Sequence, residues 1–136
     1  MKKIFIILFG ITLLGGCVST HQDVLGTKNS QVATRNYQSR TFDTNDKQMV
    51  MRSVIATMQD LGFIIDKADE TLGTISGTSF TYDSKLTVSV RPSGSKQMLV
   101  RANAQSGLHE ITNPVTYQNF FNSLAQSLFL DAHTIE

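Results

Sequence analysis

The residue types that most often carry chemistry are sparse in this 136-residue chain. It has one cysteine, Cys17, so no intrachain disulfide can form. The three histidines, His21, His109 and His133, lie far apart in the sequence, and no pair has a metal-ligand spacing such as HxxxH. We therefore expect no metal site and no cofactor.

The GxSxG motif of nucleophilic serines and the phosphate-binding motifs GxxxxGK[ST] and GxGxxG do not occur either. Asp66, Asp69 and Glu70 are close together, and paired carboxylates can transfer protons. An exposed acidic turn is the competing interpretation and the one we favour. We expect that the chain is not an enzyme.

The N-terminus has the layout of an export signal. Lys2 and Lys3 precede an apolar run of eleven residues, Ile4 to Leu14. As a helix this run would cover about half of a ~30 Å hydrocarbon core. It is too short to span a membrane and has the length of a signal-peptide core.

Leu14-Gly15-Gly16-Cys17 resembles the lipobox of bacterial lipoproteins. The resemblance implies that residues 1–16 are removed as a signal peptide and that the Cys17 thiol receives a diacylglyceryl group. It also implies acylation of the new amine, with chains such as palmitate. Two or more chains would hold the protein stably on a membrane. Val18 follows instead of the aspartate of enteric inner-membrane lipoproteins, which favours the outer membrane, with the domain facing the periplasm.

The charge balance excludes one class of partner. The chain has 12 basic and 11 acidic residues, and removal of Lys2 and Lys3 leaves 10 basic residues and a net charge of −1. A nucleic-acid partner would need a basic patch, so we expect none. Arg91 and Arg101 alternate outward on neighbouring strands. They would form either a small patch for an acidic partner or lipid headgroup, or part of a solvated sheet face.

The remaining chain divides into a tether and one domain. Residues 17–40 are rich in Ser, Thr, Gln and Asn, and we interpret them as a lipidated cysteine followed by a flexible linker. The stretch from Tyr37 to Phe42 is a candidate edge strand. Residues 41–136 are expected to form a single periplasmic domain.

Two helices and four strands are predicted within this domain. Val50, Val54, Met58 and Leu61 share one face of a helix at about 45–61, which ends at Gly62. Strands follow near 63–65, 72–80, 86–91 and 98–102, and the turn at 92–96 joins the last two. Asn113-Pro114 starts a second helix that runs to about Leu130.

The predicted fold is α+β. We expect two layers, with an antiparallel sheet of about four strands and two helices on one face, in the order β-α-β-β-β-β-α or α-β-β-β-β-α. Phe120, Phe121 and Phe129 give the second helix a broad apolar face. That face is either all core or in part an exposed patch for a partner.

A second resemblance covers about Arg40 to Leu130. Leu61-Gly62-Phe63-Ile64, Asp69 and Leu72-Gly73-Thr74-Ile75 are similar to the helix-grip domains of the C lipoprotein of the β-barrel assembly machinery. The segment from Asn113 to Leu130 resembles small outer-membrane lipoproteins of unassigned function. These resemblances imply a lipid-anchored periplasmic subunit.

Two functions follow as expectations. The first is a non-enzymatic accessory or scaffold subunit that binds another cell-envelope protein, tethered to the membrane through lipid on Cys17. The alternative is a small module that binds a lipid, glycan or peptidoglycan fragment between sheet and helices. An enzyme is the least favoured possibility.

Overall fold

The computed structural model describes residues 31–133. The predicted signal peptide, Cys17, His21 and the predicted tether as far as residue 30 lie outside the described residues. The described elements are, in chain order, α1 (31–37), β1 (Ser39–Phe42), α2 (Lys47–Asp60), β2 (Ile64–Asp69), β3 (Thr74–Ser79), β4 (Ser84–Ser93), β5 (Gln97–Ser106), β6 (His109–Glu110) and α3 (Pro114–His133).

Both long helices begin at side-chain caps. Asp46 Oδ1 accepts the backbone N–H of Met49 at 2.9 Å, and Asn113 Oδ1 accepts that of Val115 at 3.0 Å. Each bond satisfies a donor that the first turn of a helix leaves unpaired. At the other end of α2, Gly62 adopts a left-handed conformation with φ of 84° and terminates the helix.

The six strands form one antiparallel sheet in the order β1-β5-β4-β3-β2, and β6 pairs with the same edge of β5 as β1 does. Alternation along β4 separates two faces: Leu86, Val88 and Val90 are buried, whereas Lys85 and Thr87 are exposed. Helices α2 and α3 contact each other, and their apolar faces join the buried strand residues in one core. The opposite side of the sheet, which carries Lys85 and Thr87, is called the outer face below.

The prediction of an α+β fold with an antiparallel sheet is confirmed, whereas the predicted numbers of strands and helices were wrong. The sheet has six strands among the described residues, not about four, and α1 adds a third helix. β1 pairs with β5 across a long stretch of chain, and β6 has only two residues, too few to show an alternating pattern. β1 precedes α2, as in the predicted order β-α-β-β-β-β-α, in which a strand stands before the first long helix.

Residues 31–40, which the sequence placed in the tether, contain α1 and the start of β1. Gln38 is buried at the junction of the two, and its carbonyl accepts the N–H of Ala102 at 2.8 Å. Arg40 then stacks over the ring of Phe121 on α3, with 5.2 Å from its Cζ to the ring centroid. These contacts attach the beginning of the described chain to both layers of the domain.

Candidate functional site

The carboxylates singled out in the sequence make local structural bonds. Asp66 Oδ2 accepts the hydroxyl of Thr78 on the neighbouring strand at 2.7 Å. Asp69 Oδ1 accepts the N–H of Leu72 at 2.9 Å and thereby closes the turn between β2 and β3. Glu70 is exposed in that turn. The three acids therefore do not converge in a cleft.

The other polar candidates are equally dispersed. His109 is exposed on β6, and His133 is the last residue of α3. Within residues 31–133 no three His, Cys, Asp or Glu side chains are placed to hold a metal ion. Arg91 and Arg101 lie diagonally across β4 and β5 on the outer face, since Arg91 pairs with Leu99 and Arg101 with Ser89.

One end of the sheet gathers several apolar side chains, and we call it the apical end. β2 begins there, β3 and β5 end there, and the turns at 80–83 and 107–108 project from it. The opposite, basal end carries the turn at 94–96 between β4 and β5. Because neighbouring strands are antiparallel, alternate loops fall at the same end of the sheet.

A groove of about 390 Å³ opens at the apical end between the helices and the sheet. We call it the apical groove. Its walls come from the end of α2, the β3–β4 turn and the first turns of α3, and its lining residues are Leu61, Phe63, Tyr82, Ser84, Ile111, Thr116, Asn119 and Phe120. The volume falls within the range of small-molecule sites. The lining is mostly apolar, and its polar groups are the hydroxyls of Tyr82, Ser84 and Thr116 and the amide of Asn119.

Two buried hydroxyls belong to residues that neighbour groove residues in the fold. Ser79 is the register partner of the groove residue Ser84, and Thr57 lies one helical turn before the groove residue Leu61. Both side chains are almost fully buried, and neither hydroxyl has a hydrogen-bond partner within the described residues. An unpaired buried hydroxyl costs free energy that a polar group reaching it would recover.

Exposed apolar side chains crowd the same end. Phe80 and Tyr82 in the β3–β4 turn are 80% and 68% exposed, and Leu108 in the β5–β6 turn is 100% exposed. Val115, in the first turn of α3, is 56% exposed. We call these four residues the apical rim. Large exposed apolar residues that share one end of a domain are typical of a docking surface.

The Phe-rich second helix contributes mainly to the core. Phe120 and Phe121 are buried and pack edge to face with ring centroids 5.2 Å apart, while Phe129 is exposed farther along α3. Phe120 also lines the apical groove. Two of the three phenylalanines therefore pack in the core and one is exposed, and a patch for a partner on this helix stays a prediction.

A polar network holds the apical end of α3 against the edge of the sheet. The hydroxyl of Tyr117 donates to the carbonyl of Ile111 at 2.6 Å and accepts the N–H of Ala104 at 3.1 Å. Gln38 donates to Glu110 Oε1 at 2.7 Å, and Asn103 donates to the same oxygen at 3.0 Å. The segment between β6 and α3, which supplies groove residue Ile111, is fixed by these bonds.

Sequence reasoning did not find the apical groove or the apical rim. The available signals were Phe80 at the end of a predicted strand, Tyr82 just after it and a leucine after Gly107, because turns usually carry polar residues.

No protein-family model matches the chain, and no curated protein matches its sequence. Within residues 31–133 no helix is long and apolar enough to cross a membrane.

Proposed function

We propose that this chain is a non-enzymatic, lipid-anchored binding module of the bacterial envelope. Lipid on Cys17 holds it at the periplasmic face of the outer membrane, and the apical end binds another envelope component. The observation that carries the proposal is the apical groove together with the four exposed apolar residues beside it. Tethering to a membrane raises the effective concentration of partners there, so a small contact surface suffices.

In-cell photocrosslinking tests this proposal. A photoreactive residue at Tyr82, in the groove wall, should give adducts of discrete size in intact cells. The same residue at Ser95, exposed in the basal turn, should give none. Thr116→Trp, which places a large ring in the groove, should abolish the adducts at position 82. Equal labelling at both positions, or adducts that survive Thr116→Trp, would contradict an apical binding site.

A second function is favoured by the shape of the site. The groove is large enough for part of an acyl chain, and its walls are largely apolar. The module would then bind a lipid rather than a protein. A purified chain that enhances the emission of a dansyl-labelled fatty acid, and loses this with Thr116→Trp but not with Thr71→Trp, would support the lipid ligand. Thr71 is exposed in the β2–β3 turn, away from the groove.

A further inference from the structure

We propose that the outer face of the sheet binds a phosphorylated sugar, in a depression that crosses β2, β3 and β4. This site lies on the layer opposite the helices, and it depends neither on the apical groove nor on lipid at Cys17. The depression has a volume of about 340 Å³, and we call it the outer depression. Its lining residues are Lys67, Thr74, Ile75, Ser76, Lys85 and Thr87.

Strand register brings the polar side chains of the outer depression together. Lys67 pairs with Ser76, and Ser76 pairs with Thr87, so the three residues lie in one row across β2, β3 and β4. Lys85 stands two residues before Thr87 on β4 and therefore points to the same side of the sheet. From strand spacing and rise, the Cα atoms of the two lysines are about 12 Å apart, so both ammonium groups can reach an anion above Ser76.

The outer depression is positively charged. Both lysines are exposed, and neither ammonium group has an ion-pair or hydrogen-bond partner within residues 31–133. No carboxylate is among the described residues that line the depression, and the acids of β2, Asp66 and Asp69, each accept a hydrogen bond from a neighbouring group. By contrast, two depressions at the basal end include Glu70 and Asp43 in their linings. The charge of the outer depression therefore favours an anionic ligand.

The donors of the outer depression fit a phosphate better than a carboxylate. Two ammonium groups line it together with the hydroxyls of Thr74, Ser76 and Thr87. A phosphate monoester has three strong acceptor oxygens and a charge of about −1.5 to −2, so it can accept from several of these donors at once. A planar carboxylate is matched best by the fork of an arginine, and no arginine is among the described residues of the lining.

Polar side chains continue the row beyond the outer depression. Asn103 on β5 pairs with Thr87, so the row from Lys67 to Asn103 crosses four strands and measures about 14 Å. Asn103 Nδ2 donates to Glu110 at 3.0 Å, which leaves the side-chain carbonyl oxygen to accept a hydrogen bond from a ligand. These hydroxyl and amide groups suit the hydroxyls of a sugar. The row therefore fits a disaccharide-sized sugar whose phosphate lies between the two lysines.

Titration calorimetry on the purified full chain tests this site, with maltose 1-phosphate as the probe. Lys67→Gln and Lys85→Gln should each weaken binding about fivefold, because each removes one charged donor. Thr87→Val keeps the shape of the side chain and should also weaken binding. Lys96→Gln, in the basal turn, is the matched control and should bind as the unaltered chain does. All four side chains are exposed, so circular dichroism should show an unchanged fold.

Three further probes separate the classes of ligand. Glycerol 3-phosphate has the phosphate of a lipid headgroup without a sugar ring, maltose has the sugar without a phosphate, and glucuronate has a carboxylate. Each should bind more weakly than maltose 1-phosphate. Equal binding of glycerol 3-phosphate would overturn the sugar in favour of a lipid headgroup, and equal binding of maltose or glucuronate would overturn the phosphate. No binding of any probe, or an equal loss with Lys96→Gln, would overturn the site itself.

Discussion

Gln38 Nε2 donates a hydrogen bond to the hydroxyl of Tyr117 at 3.2 Å, across 79 residues of sequence. The bond joins the start of β1 to α3, beside the segment that supplies groove residue Ile111. Tyr37 adds a second tie, because its ring lies 5.6 Å from that of Tyr117 between centroids. The shape of the apical end therefore depends on residues that precede the first long helix.

Removal of the Tyr117 hydroxyl should destabilise the domain. Tyr117→Phe leaves the N–H of Ala104 and the carbonyl of Ile111 without this partner in a buried setting. We expect a loss of about 1–3 kcal/mol in the free energy of unfolding. Urea denaturation followed by circular dichroism measures it. Tyr82→Phe, at an exposed ring, is the control, and an equal loss in both variants would contradict the role given to the network.

Gly73 should tolerate substitution less well than Gly94. Both have left-handed backbones, with φ of 69° and 71°. A Cβ at position 73 would collide with the carbonyl oxygen of Val90, whereas a Cβ at position 94 meets open space. Gly94→Ala should cost about 1 kcal/mol from backbone strain alone, and Gly73→Ala should cost more. Thermal unfolding of the two variants gives the comparison, and similar melting temperatures would count against the close approach.

The phenylalanines of α3 should differ in their contribution to stability. Phe121 is buried against Arg40 and Phe120, so Phe121→Ala should cost about 3–5 kcal/mol. Phe129 is 62% exposed, and Phe129→Ala should cost about 1 kcal/mol or less. Urea denaturation measures both losses of unfolding free energy, provided that the dependence of this free energy on urea concentration is the same in each variant. A large loss at position 129 would show that it packs more deeply than its exposure indicates.

Cys17→Ser should release the protein from the membrane, because serine provides no thiol for the diacylglyceryl group. In fractionated cells the variant should leave the outer-membrane fraction, and metabolic labelling with palmitate should be lost. Ser19→Ala, which preserves the cysteine, is the matched control and should remain in the membrane fraction. Retention of Cys17→Ser in the outer membrane would contradict anchoring by this residue.

Much of the secondary structure could be predicted from local signals. Asn113 caps a helix where expected, and Val88 and Val90 alternate with polar residues as half-buried strands require. α1 could not be predicted in this way, since its buried contacts come from polar residues such as Thr34 and from the Gln38 that follows it. Their burial depends on hydrogen bonds to Tyr37, Tyr117 and Glu110.

The sequence by itself determined the α+β class, the boundaries of the two long helices within a few residues and the prediction of lipid on Cys17. These features depend on helix caps, on the periodicity of apolar residues and on a signal-peptide motif, and each of these involves residues that are close together in the sequence. Only the tertiary structure placed β1 and β6 on the same edge of β5 and brought Leu61, Tyr82 and Phe120 around one groove. That grouping comes from the order of the antiparallel strands and from helix packing. Both bring together residues that are distant in sequence, so no local sequence pattern predicts it.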